Sequence, residues 1–452
     1  MFGGKDSAFR DESSHVIKDT QLSKVPIIDD TILSSYTLEH EPTNNLNEGN
    51  ILEVTVPASN NYIRLNEITL HGSFKVIKTP VANPSTEENL DENDDISVCN
   101  LSSCALWKLV SLHMNGIETT DRSHFRYSYK AYIETLLNNT EENKDTYLKE
   151  FSLWYPDTAG KETGPNNLKK DGENSGYTNR AALISKSKTV EFFSKIHLDA
   201  LTTQKLLLNG ITLKFTFHRN SDNAVLISPS AWTTHIPKIK IMSLKVKVPY
   251  VVMNTKKIES DATKLRQEAF LYTFPMTRVS TQDIPRQSTG VITRLLGQGV
   301  LPNLIVLAFT KASKMEDLKE NPFYFNHEDL SRLYFCIDGQ IVSPVRDVID
   351  FSNNKCLDLY FNLVRTLRLD DPHQPIKITL ESFKSGTMLI AKDIHGCCSG
   401  GQNHFHSAVR GSLDVNLSFK NAPNDTLALM AFSVFNAAFS VDKDRRVELF
   451  TP

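Results

Sequence analysis

Hydrophobic and polar residues alternate most regularly just after residue 210. The apolar set is Ile211, Leu213, Phe215 and Phe217, and the polar set between them is Thr212, Lys214, Thr216 and His218. A period of two places all apolar side chains on one face of a β-strand and all polar ones on the other. The segment therefore predicts a strand with one face in a hydrophobic core. Residues 413–419 alternate in the same way and predict a matching strand near the end of the chain.

Pairs of Asn or Asp with Gly lie beside several predicted strands. They are Asn115-Gly116, Asn209-Gly210 and Asp338-Gly339. Such pairs readily adopt the positive φ angles of tight turns, so we interpret these six residues as structural turns. The combination of strand and turn occurs in both halves of the chain, which indicates two β domains in tandem.

Length supports this division. A chain of 452 residues is too long for one ordinary core and fits two β domains of about 200 residues each. We place the linker at residues 251–262, because Pro249 is expected to end a strand and the sequence becomes polar after it. The first domain then covers residues 49–250 and the second covers residues 263–452.

Residues 1–48 are polar and irregular, and we expect them to form an N-terminal arm that becomes ordered on a partner. The main apolar stretch of the arm consists of Val25, Pro26, Ile27 and Ile28. These four residues are the predicted anchor, because apolar side chains can fill a groove and proline restricts the unbound chain.

Helical insertions are expected in the first domain. Residues 128–137 and 141–151 have helical periodicity, and Thr140 is the predicted N-cap of the second helix. Further on, the apolar phase of residues 238–249 shifts at Met242-Ser243, which predicts a β-bulge.

The second domain contains eight predicted strands, at residues 269–274, 304–309, 333–337, 357–363, 376–380, 388–391, 413–419 and 427–435. Eight short strands with turns between them are typical of a sandwich or jelly roll. Leu295–Gly299 resembles a cleavage site of adenovirus-type maturation proteases, but we interpret its glycines as a tight turn ahead of a strand.

Charge and composition exclude several classes of protein. The 50 Lys and Arg residues nearly balance the 53 Asp and Glu residues, so we expect no direct, sequence-specific binding of nucleic acid. No run of apolar residues is long enough for a membrane span. The first residues lack the apolar core of a secretory signal, so synthesis in the cytoplasm or nucleus is expected. Six cysteines in a chain of this length do not form a disulfide framework.

Candidate chemistry is sparse. His395–His406 contains adjacent cysteines and three histidines, but Cys397 and Cys398 are too close in sequence to serve one tetrahedral zinc ion, so a glycine-rich loop is the better interpretation. The sequence has no nucleophile elbow, no complete zincin motif and no phosphate-binding loop. We therefore expect no enzyme activity, no metal and no cofactor.

Several motifs in fixed order resemble the major capsid proteins of Polinton/Maverick elements and adintoviruses. They are Tyr127–Asn138, Trp154–Gly160, Lys205–Gly210, Arg219–Asp222, Leu296–Pro302, Asn321–His327, Ile337–Gln340, Arg410–Leu413 and Val441–Arg446. The resemblance extends from about residue 50 to the end of the chain.

The resemblance implies a double jelly-roll fold, with two tandem eight-stranded jelly rolls in each chain. It also implies a homotrimer that forms a pseudohexameric capsomer, a tile of an icosahedral shell enclosing double-stranded DNA. The expected partners are neighbouring capsomers, a penton protein with a single jelly roll, and minor capsid proteins. The expected location is the virion capsid.

Two alternatives remain open on the sequence alone, because the same fold class hosts other functions. A carbohydrate-binding or glycosidase sandwich requires paired carboxylates on facing strands, whereas the acidic residues here lie mostly in loops. A metal-dependent cupin requires a histidine motif that would begin at His404-Phe-His406 and continue with a later histidine, which the sequence lacks.

Overall fold

The computed structural model describes residues 30–120, 126–345, 348–369, 378–394 and 407–452. Within these ranges the strands form five sheets, and each sheet takes its strands from only one half of the chain. The chain thus builds two separate β sandwiches, which we call the first roll and the second roll.

The first roll contains β1 (Ile32–His40), β2 (Ile51–Val56), β3 (Tyr62–Ile63), β4 (Thr69–Pro80), β5 (Glu88–Asn89), β6 (Ser97–Val98), β7 (Trp107–Met114), β8 (Ile117–Glu118), β9 (Val190–Lys195), β10 (Leu213–Arg219), β11 (Leu226–Ile227) and β12 (His235–Met253). One sheet has the order β1-β12-β4, with β5 and β9 on successive parts of β4 and β3 on β12. The facing sheet has the order β2-β10-β7-β8, and β6 pairs with β11.

The second roll contains β13 (Phe270–Ile284), β14 (Gly290–Val300), β15 (Leu304–Lys311), β16 (Leu330–Ile337), β17 (Gln340–Val345), β18 (Leu389–Asp393), β19 (Arg410–Phe419), β20 (Leu427–Val441) and β21 (Val447–Phe450). One sheet has the order β13-β20-β15-β18, with β21 added to the end of β20. The other has the order β14-β19-β16-β17.

Both rolls have the same topology. In the first roll the eight main strands along the chain are β1, β2, β4, β7, β8, β9, β10 and β12, and in the second they are β13 to β20. In each roll one sheet joins the first, eighth, third and sixth of these strands, and the other joins the second, seventh, fourth and fifth. Two facing sheets in this order make a jelly roll, so the predicted pair of tandem eight-stranded jelly rolls is confirmed.

The helices lie in the connections between strands. They are α1 (Ser102–Ala105), α2 (Tyr127–Asn138), α3 (Glu141–Asn143), α4 (Lys149–Ser152), α5 (Ser175–Ile184), α6 (Thr255–Leu265), α7 (Leu357–Leu367) and α8 (Leu380–Lys384). The predicted helix at residues 128–137 is confirmed as α2. The helix predicted at residues 141–151 is confirmed as α3 and α4 with a π-helical turn between them, and Thr140 caps it by accepting from the N–H of Asn143 at 3.3 Å.

The strand with the clearest alternation, β10, lies in the middle of its sheet. It pairs with β2 on one side and β7 on the other. The side chains of Phe215 and Phe217 are fully buried, and Phe217 lies against Trp107 with ring centroids 5.1 Å apart. The predicted bulge in β12 is confirmed, because the register with β4 shifts between Ile241 and Ser243.

The predicted boundary of the arm is wrong at its C-terminal end. Residues 32–40, which we expected within an irregular arm, form β1 and pair antiparallel with β12. All but the last residue of β1 are exposed, so no core-facing alternation marks this strand in the sequence. The first roll therefore begins before residue 49.

Pro249 does not end β12, which continues to Met253. The carbonyl of Pro249 accepts from Arg64 on the side away from β1, so its missing N–H removes no hydrogen bond to β1. Residues 251–262, predicted as a linker, contain the end of β12 and most of α6.

Three predictions in the second roll need correction. Residues 357–363, predicted as a strand, lie in α7. Their apolar residues alternate as in a strand, but in the helix they fall on two opposite faces. Residues 295–299, predicted as a tight turn, lie within β14, where two shifts of register against β19 accommodate them. The strand predicted at residues 376–380 falls partly outside the described residues, and its last residue begins α8.

The predicted turn residues occupy turns of different kinds. Asn115 and Gly116 have φ values of 46° and 85° and join β7 to β8, while Asp338 and Gly339 have 48° and 77° and join β16 to β17. Both pairs therefore make two-residue hairpins. Gly210 has a φ of 78° and lies in a tight turn ahead of β10, where its N–H donates to Ser59.

Replacing Gly210 with Val should destabilise the protein by about 1 kcal/mol or more, because a β-branched residue is strained at a positive φ. A Cβ at this position would also lie 3.3 Å from Nε of Arg445. The matched control is Gly297→Val, since Gly297 lies in β14 with open space around it. Thermal melting should show a lower Tm for the first variant only, and an unchanged Tm for Gly210→Val would contradict the turn geometry.

Candidate functional site

The two rolls meet along a buried junction, and aromatic side chains form one part of it. Tyr129 and Tyr132 of α2 contact Phe323, which lies between β15 and β16. Phe323 stacks on Tyr132 with ring centroids 4.4 Å apart, and it meets the ring of Tyr129 edge-on at 5.4 Å. All three side chains are buried. Burial of three rings at one contact favours a single relative orientation of the rolls.

A cluster of polar side chains, in which Lys130 and His197 are buried and Glu134 and Asp199 are half-buried, lies in the same junction. Nζ of Lys130 on α2 donates to Asp199 at 2.6 Å and lies 3.6 Å from Glu134, one turn further along the helix. His197 bonds to Glu134 through Nδ1 at 2.8 Å. Burial disfavours the charge on Lys130, but the two carboxylates outweigh this effect and raise its pKa above the ordinary value. The lysine therefore stays charged between the carboxylates.

Side chains of the first roll also cover the outer edge of β13, the first strand of the second roll. Asp199 accepts from the backbone N–H of Thr277 at 3.0 Å, and Lys205 donates to the carbonyl of Leu271 at 2.9 Å. Pro275, two residues before Thr277 and so on the same edge, has no N–H to satisfy. Open strand edges invite pairing with other chains, and these contacts protect β13 from it.

Two of the predicted turns come together at the junction. The side-chain amide of Asn115 donates to the carbonyl of Arg445 at 2.8 Å, and the guanidinium of Arg445 donates to Asn209 at 2.6 Å. Arg445 lies in the turn between β20 and β21, so two turns of the first roll hold one turn of the second. The sequence indicated the turns, but it gave no signal that Arg445 would bring them together.

The third predicted turn lies elsewhere in the second roll. Asp338 accepts from the N–H and the hydroxyl of Ser412 at 2.8 and 3.1 Å, and these bonds lower the pKa of the carboxyl group. Gly339 completes the turn. This site ties β16 to the start of β19 and takes no part in the junction.

A buried carboxyl group lies where the loop before α5 meets the second roll. Glu162 is 8% exposed, and the hydroxyl of Ser385 donates to it at 3.3 Å. A Cβ on Gly386 would be 2.5 Å from Oε1 of Glu162, so the glycine leaves room for the carboxyl group. Burial raises the pKa of Glu162 to about 7. This carboxyl group therefore changes its charge near neutral pH.

No metal-binding or membrane-spanning element is found in the part of the chain that the structure describes. That part holds no group of three or more His, Cys, Asp and Glu side chains suited to a metal ion. It also has no helix with the length and apolar character needed to cross a membrane. The predicted anchor Val25–Ile28 and the loop His395–His406 lie outside the described residues.

Comparison of sequences gives little information on function. No family model matches the chain. An uncharacterized protein of Caenorhabditis elegans is 21% identical over 398 residues, which cover 85% of this chain and 89% of that protein.

Comparison of structures identifies the fold. The chain is similar to the structure of the Sputnik virophage, with a TM-score of 0.63 and 11% identity over 96% of this chain and 92% of the other. The PBCV-1 virus capsid gives 0.58 and 12%, covering 95% and 99%. The mavirus major capsid protein gives 0.54 and 11%, covering 95% and 92%. The chain has the double jelly-roll fold.

Several elements of this double jelly-roll expose apolar side chains on its surface, and α7 and β1 are two of them. Leu357 and Phe361, one turn apart on α7, are 57% and 59% exposed. On β1, the exposed apolar residues are Ile32, Leu33, Tyr36 and Leu38. Neither surface was predicted, because we assigned one segment to a core strand and the other to an irregular arm.

The polar cluster of the junction could be found only in part from the sequence. Lys130 and Glu134 are spaced for an ion pair on a predicted helix, and this signal is readable. Asp199 and Thr277 lie in different rolls, and only the fold brings them together. A sequence pattern reports neighbours along the chain, so it does not contain this contact.

Replacing Glu162 with Gln should change how stability depends on pH. The folded-state pKa of about 7 lies above the ordinary value of 4.5. Between these pH values Glu162 is therefore protonated in the folded protein and ionised in the unfolded chain. The contribution of this pKa shift to the free energy of unfolding is fully present below pH 4.5 and is lost as the pH rises through 7. Glu162→Gln should therefore differ little in Tm from the parent protein at pH 5, and its Tm should exceed that of the parent by more at pH 8.

The matched control for this experiment is Glu173→Gln in the same loop. Glu173 is exposed and pairs with Lys161, which lowers the pKa of its carboxyl group. This variant should keep the pH dependence of the parent between pH 5 and 8. A Glu162→Gln variant whose Tm follows that of the parent at every pH would show that Glu162 does not titrate in this range.

Proposed function

We propose that the chain is the major capsid protein of a virus or virus-like element and that it assembles as a homotrimeric, pseudohexameric capsomer. The observation that supports this most strongly is the double jelly-roll with a buried junction between its rolls. A similar fold occurs in the PBCV-1 virus capsid and in the mavirus major capsid protein. The motifs shared with Polinton/Maverick and adintovirus capsid proteins support an origin in that group.

The junction explains how one chain can act as a third of a tile. Each chain holds two rolls of the same topology side by side. Three chains therefore supply six rolls, which approximate a hexagonal outline. The stacked rings and the hydrogen bond from Thr277 to Asp199 join the two rolls and favour one angle between them. A constant angle is needed because three flexible pairs would not close into one ring.

The wider assembly forms part of the same proposal. Such tiles meet neighbouring capsomers, a penton protein with a single jelly roll and minor capsid proteins in an icosahedral shell around double-stranded DNA. The chain is made in the cytoplasm or nucleus and resides in the virion capsid. No catalytic role, cofactor or direct sequence-specific contact with nucleic acid belongs to this function.

The N-terminal arm has a proposed role in contacts between capsomers. Residues 1–29 precede β1, and we assign them to contacts with neighbouring tiles through Val25–Ile28. The support is the apolar character of these four residues next to a strand whose side chains are exposed.

The trimer is tested by the mass of the purified protein. Sedimentation at micromolar concentration should give the mass of three chains, because the exposed apolar surfaces are covered only in the assembly. The measurement should be repeated at low and high salt, since apolar contacts depend on salt less than surface ion pairs do. A protein that stays monomeric in every buffer would overturn the proposed function.

The arm is tested by deleting residues 1–28, which leaves β1 intact. The truncated protein should keep the Tm and trimer mass of the full chain, because every described strand of both rolls begins after the deletion. Shell formation, followed by electron microscopy, should be impaired. A matched variant of the full chain with Val25, Ile27 and Ile28 changed to Ser should show the same defect. Normal shells from both proteins would remove the arm from assembly.

A further inference from the structure

Lys130, Glu134 and Asp199 bring one amine and two carboxyl groups together at the junction. Nζ of Lys130 lies 2.6 Å from Oδ1 of Asp199 and 3.6 Å from Oε1 of Glu134. The side chains of Lys130 and Asp199 are only 10% and 16% exposed. The fold thus holds an amine against a carboxyl group in a site that is largely shielded from bulk water. Fixed proximity of this kind accelerates a reaction between two groups by orders of magnitude.

The surroundings of Asp199 favour attack on its carboxyl carbon. Oδ1 accepts from Lys130, and Oδ2 accepts from the backbone N–H of Thr277 at 3.0 Å. When an amine adds to a carboxyl carbon, negative charge develops on one oxygen, and a fixed backbone N–H stabilises that charge. Burial raises the pKa of Asp199. The raised pKa favours the neutral acid, which is the form of a carboxyl group that an amine can attack.

The surroundings of Glu134 favour the opposite protonation state. Burial alone would raise the pKa of Glu134, but Lys130 and His197 outweigh this effect and lower the pKa below its ordinary value. Nδ1 of His197, 2.8 Å from Oε2, also holds the carboxylate in place. Two carboxyl groups whose pKa values are displaced in opposite directions divide into an acid and a base. Here Asp199 is the acid and Glu134 is the base.

We propose that Lys130 and Asp199 form an isopeptide bond in the folded chain, with Glu134 as the proton carrier. One proton first moves from Nζ to Oδ1 along their hydrogen bond, which converts the ion pair into an amine and a carboxylic acid. The lone pair of Nζ then attacks Cγ of Asp199, and Glu134 accepts a second proton from Nζ. Glu134 returns this proton to the hydroxyl group at Oδ1, and the C–O bond breaks as water leaves.

The reaction balances without any further reactant. An ammonium group and a carboxylate become one amide and one water molecule, and Glu134 ends in the state in which it began. A cavity of about 40 Å³ adjoins Lys130 and Asp199, with Leu109, Leu198 and Val279 among its walls. This volume exceeds the roughly 15 Å³ that one water molecule needs, so the released water has a place to go.

The bond depends on contact between the two rolls. Lys130, Glu134 and Asp199 belong to the first roll, whereas Thr277 lies on β13 of the second roll. The N–H that stabilises the developing charge is therefore in place only after β13 has reached its position beside Asp199. The isopeptide bond then forms after the rolls meet, and it ties α2 permanently to the segment that covers the edge of β13.

The mass of the intact, denatured chain tests the proposal directly. The purified parent protein should be lighter than its sequence by one water molecule. Digestion with trypsin should give a branched peptide that joins residues 127–144 to residues 196–205, because a linked Lys130 is no longer a site of cleavage. A parent whose digest contains the Asp199 peptide by itself, with cleavage after Lys130, would overturn the proposal. This measurement needs no variant and is independent of the oligomeric state.

Three variants identify the groups that react. Lys130→Arg keeps the positive charge but removes the nucleophilic amine, and Glu134→Gln keeps the shape but cannot accept a proton. Both should have the far-ultraviolet circular dichroism spectrum of the parent and the full mass of their sequences. The matched control is Lys78→Arg, at another buried lysine between two carboxylates, Asp91 and Asp94, and it should still lose water. Loss of water from Lys130→Arg at the same peptides would contradict the assignment.

The contribution of the second roll is tested by Thr277→Pro, which removes the N–H that bonds to Asp199. The mass of newly made protein should be followed over time in a cell-free synthesis. Removal of one donor of this kind slows a reaction by about 100-fold or more, so the variant should lose water at least that much more slowly than the parent. A folded Thr277→Pro variant that links as fast as the parent would show that the bond forms without help from the second roll.

Discussion

The first strand of a jelly roll lies at the end of its sheet, and its open edge has to be covered. In the second roll, Asp199 and Lys205 provide this cover for β13. Asp199 also binds the buried Lys130. A single carboxylate thus accepts the backbone N–H of Thr277 at the strand edge and offsets the positive charge of Lys130. Desolvation makes a buried ion pair expensive, and such pairs are weak evidence for stability. Here the same geometry requires the rolls to meet at one position.

Whether a strand can be predicted from the sequence depends on where it lies in the sandwich. The alternation around Phe215 and the bulge after Ile241 could be read directly, because one face of each strand is in the core and any change of phase shows in the pattern. The strand β1 could not be read, because its side chains are exposed on both faces in the isolated chain. Its position depends on pairing with β12, and distant pairing leaves no local signal.

The wrong assignment of residues 357–363 has an informative physical cause. Apolar residues occur there at every second position, at Leu357, Leu359, Phe361 and Leu363, which is the period of a strand. In a helix, a step of two residues turns by about 200°, so the same residues divide into two opposite stripes. One stripe is buried in the second roll and the other is exposed. The pattern of a strand thus arose from a helix with two apolar faces, the second of which is exposed among the residues that the structure describes.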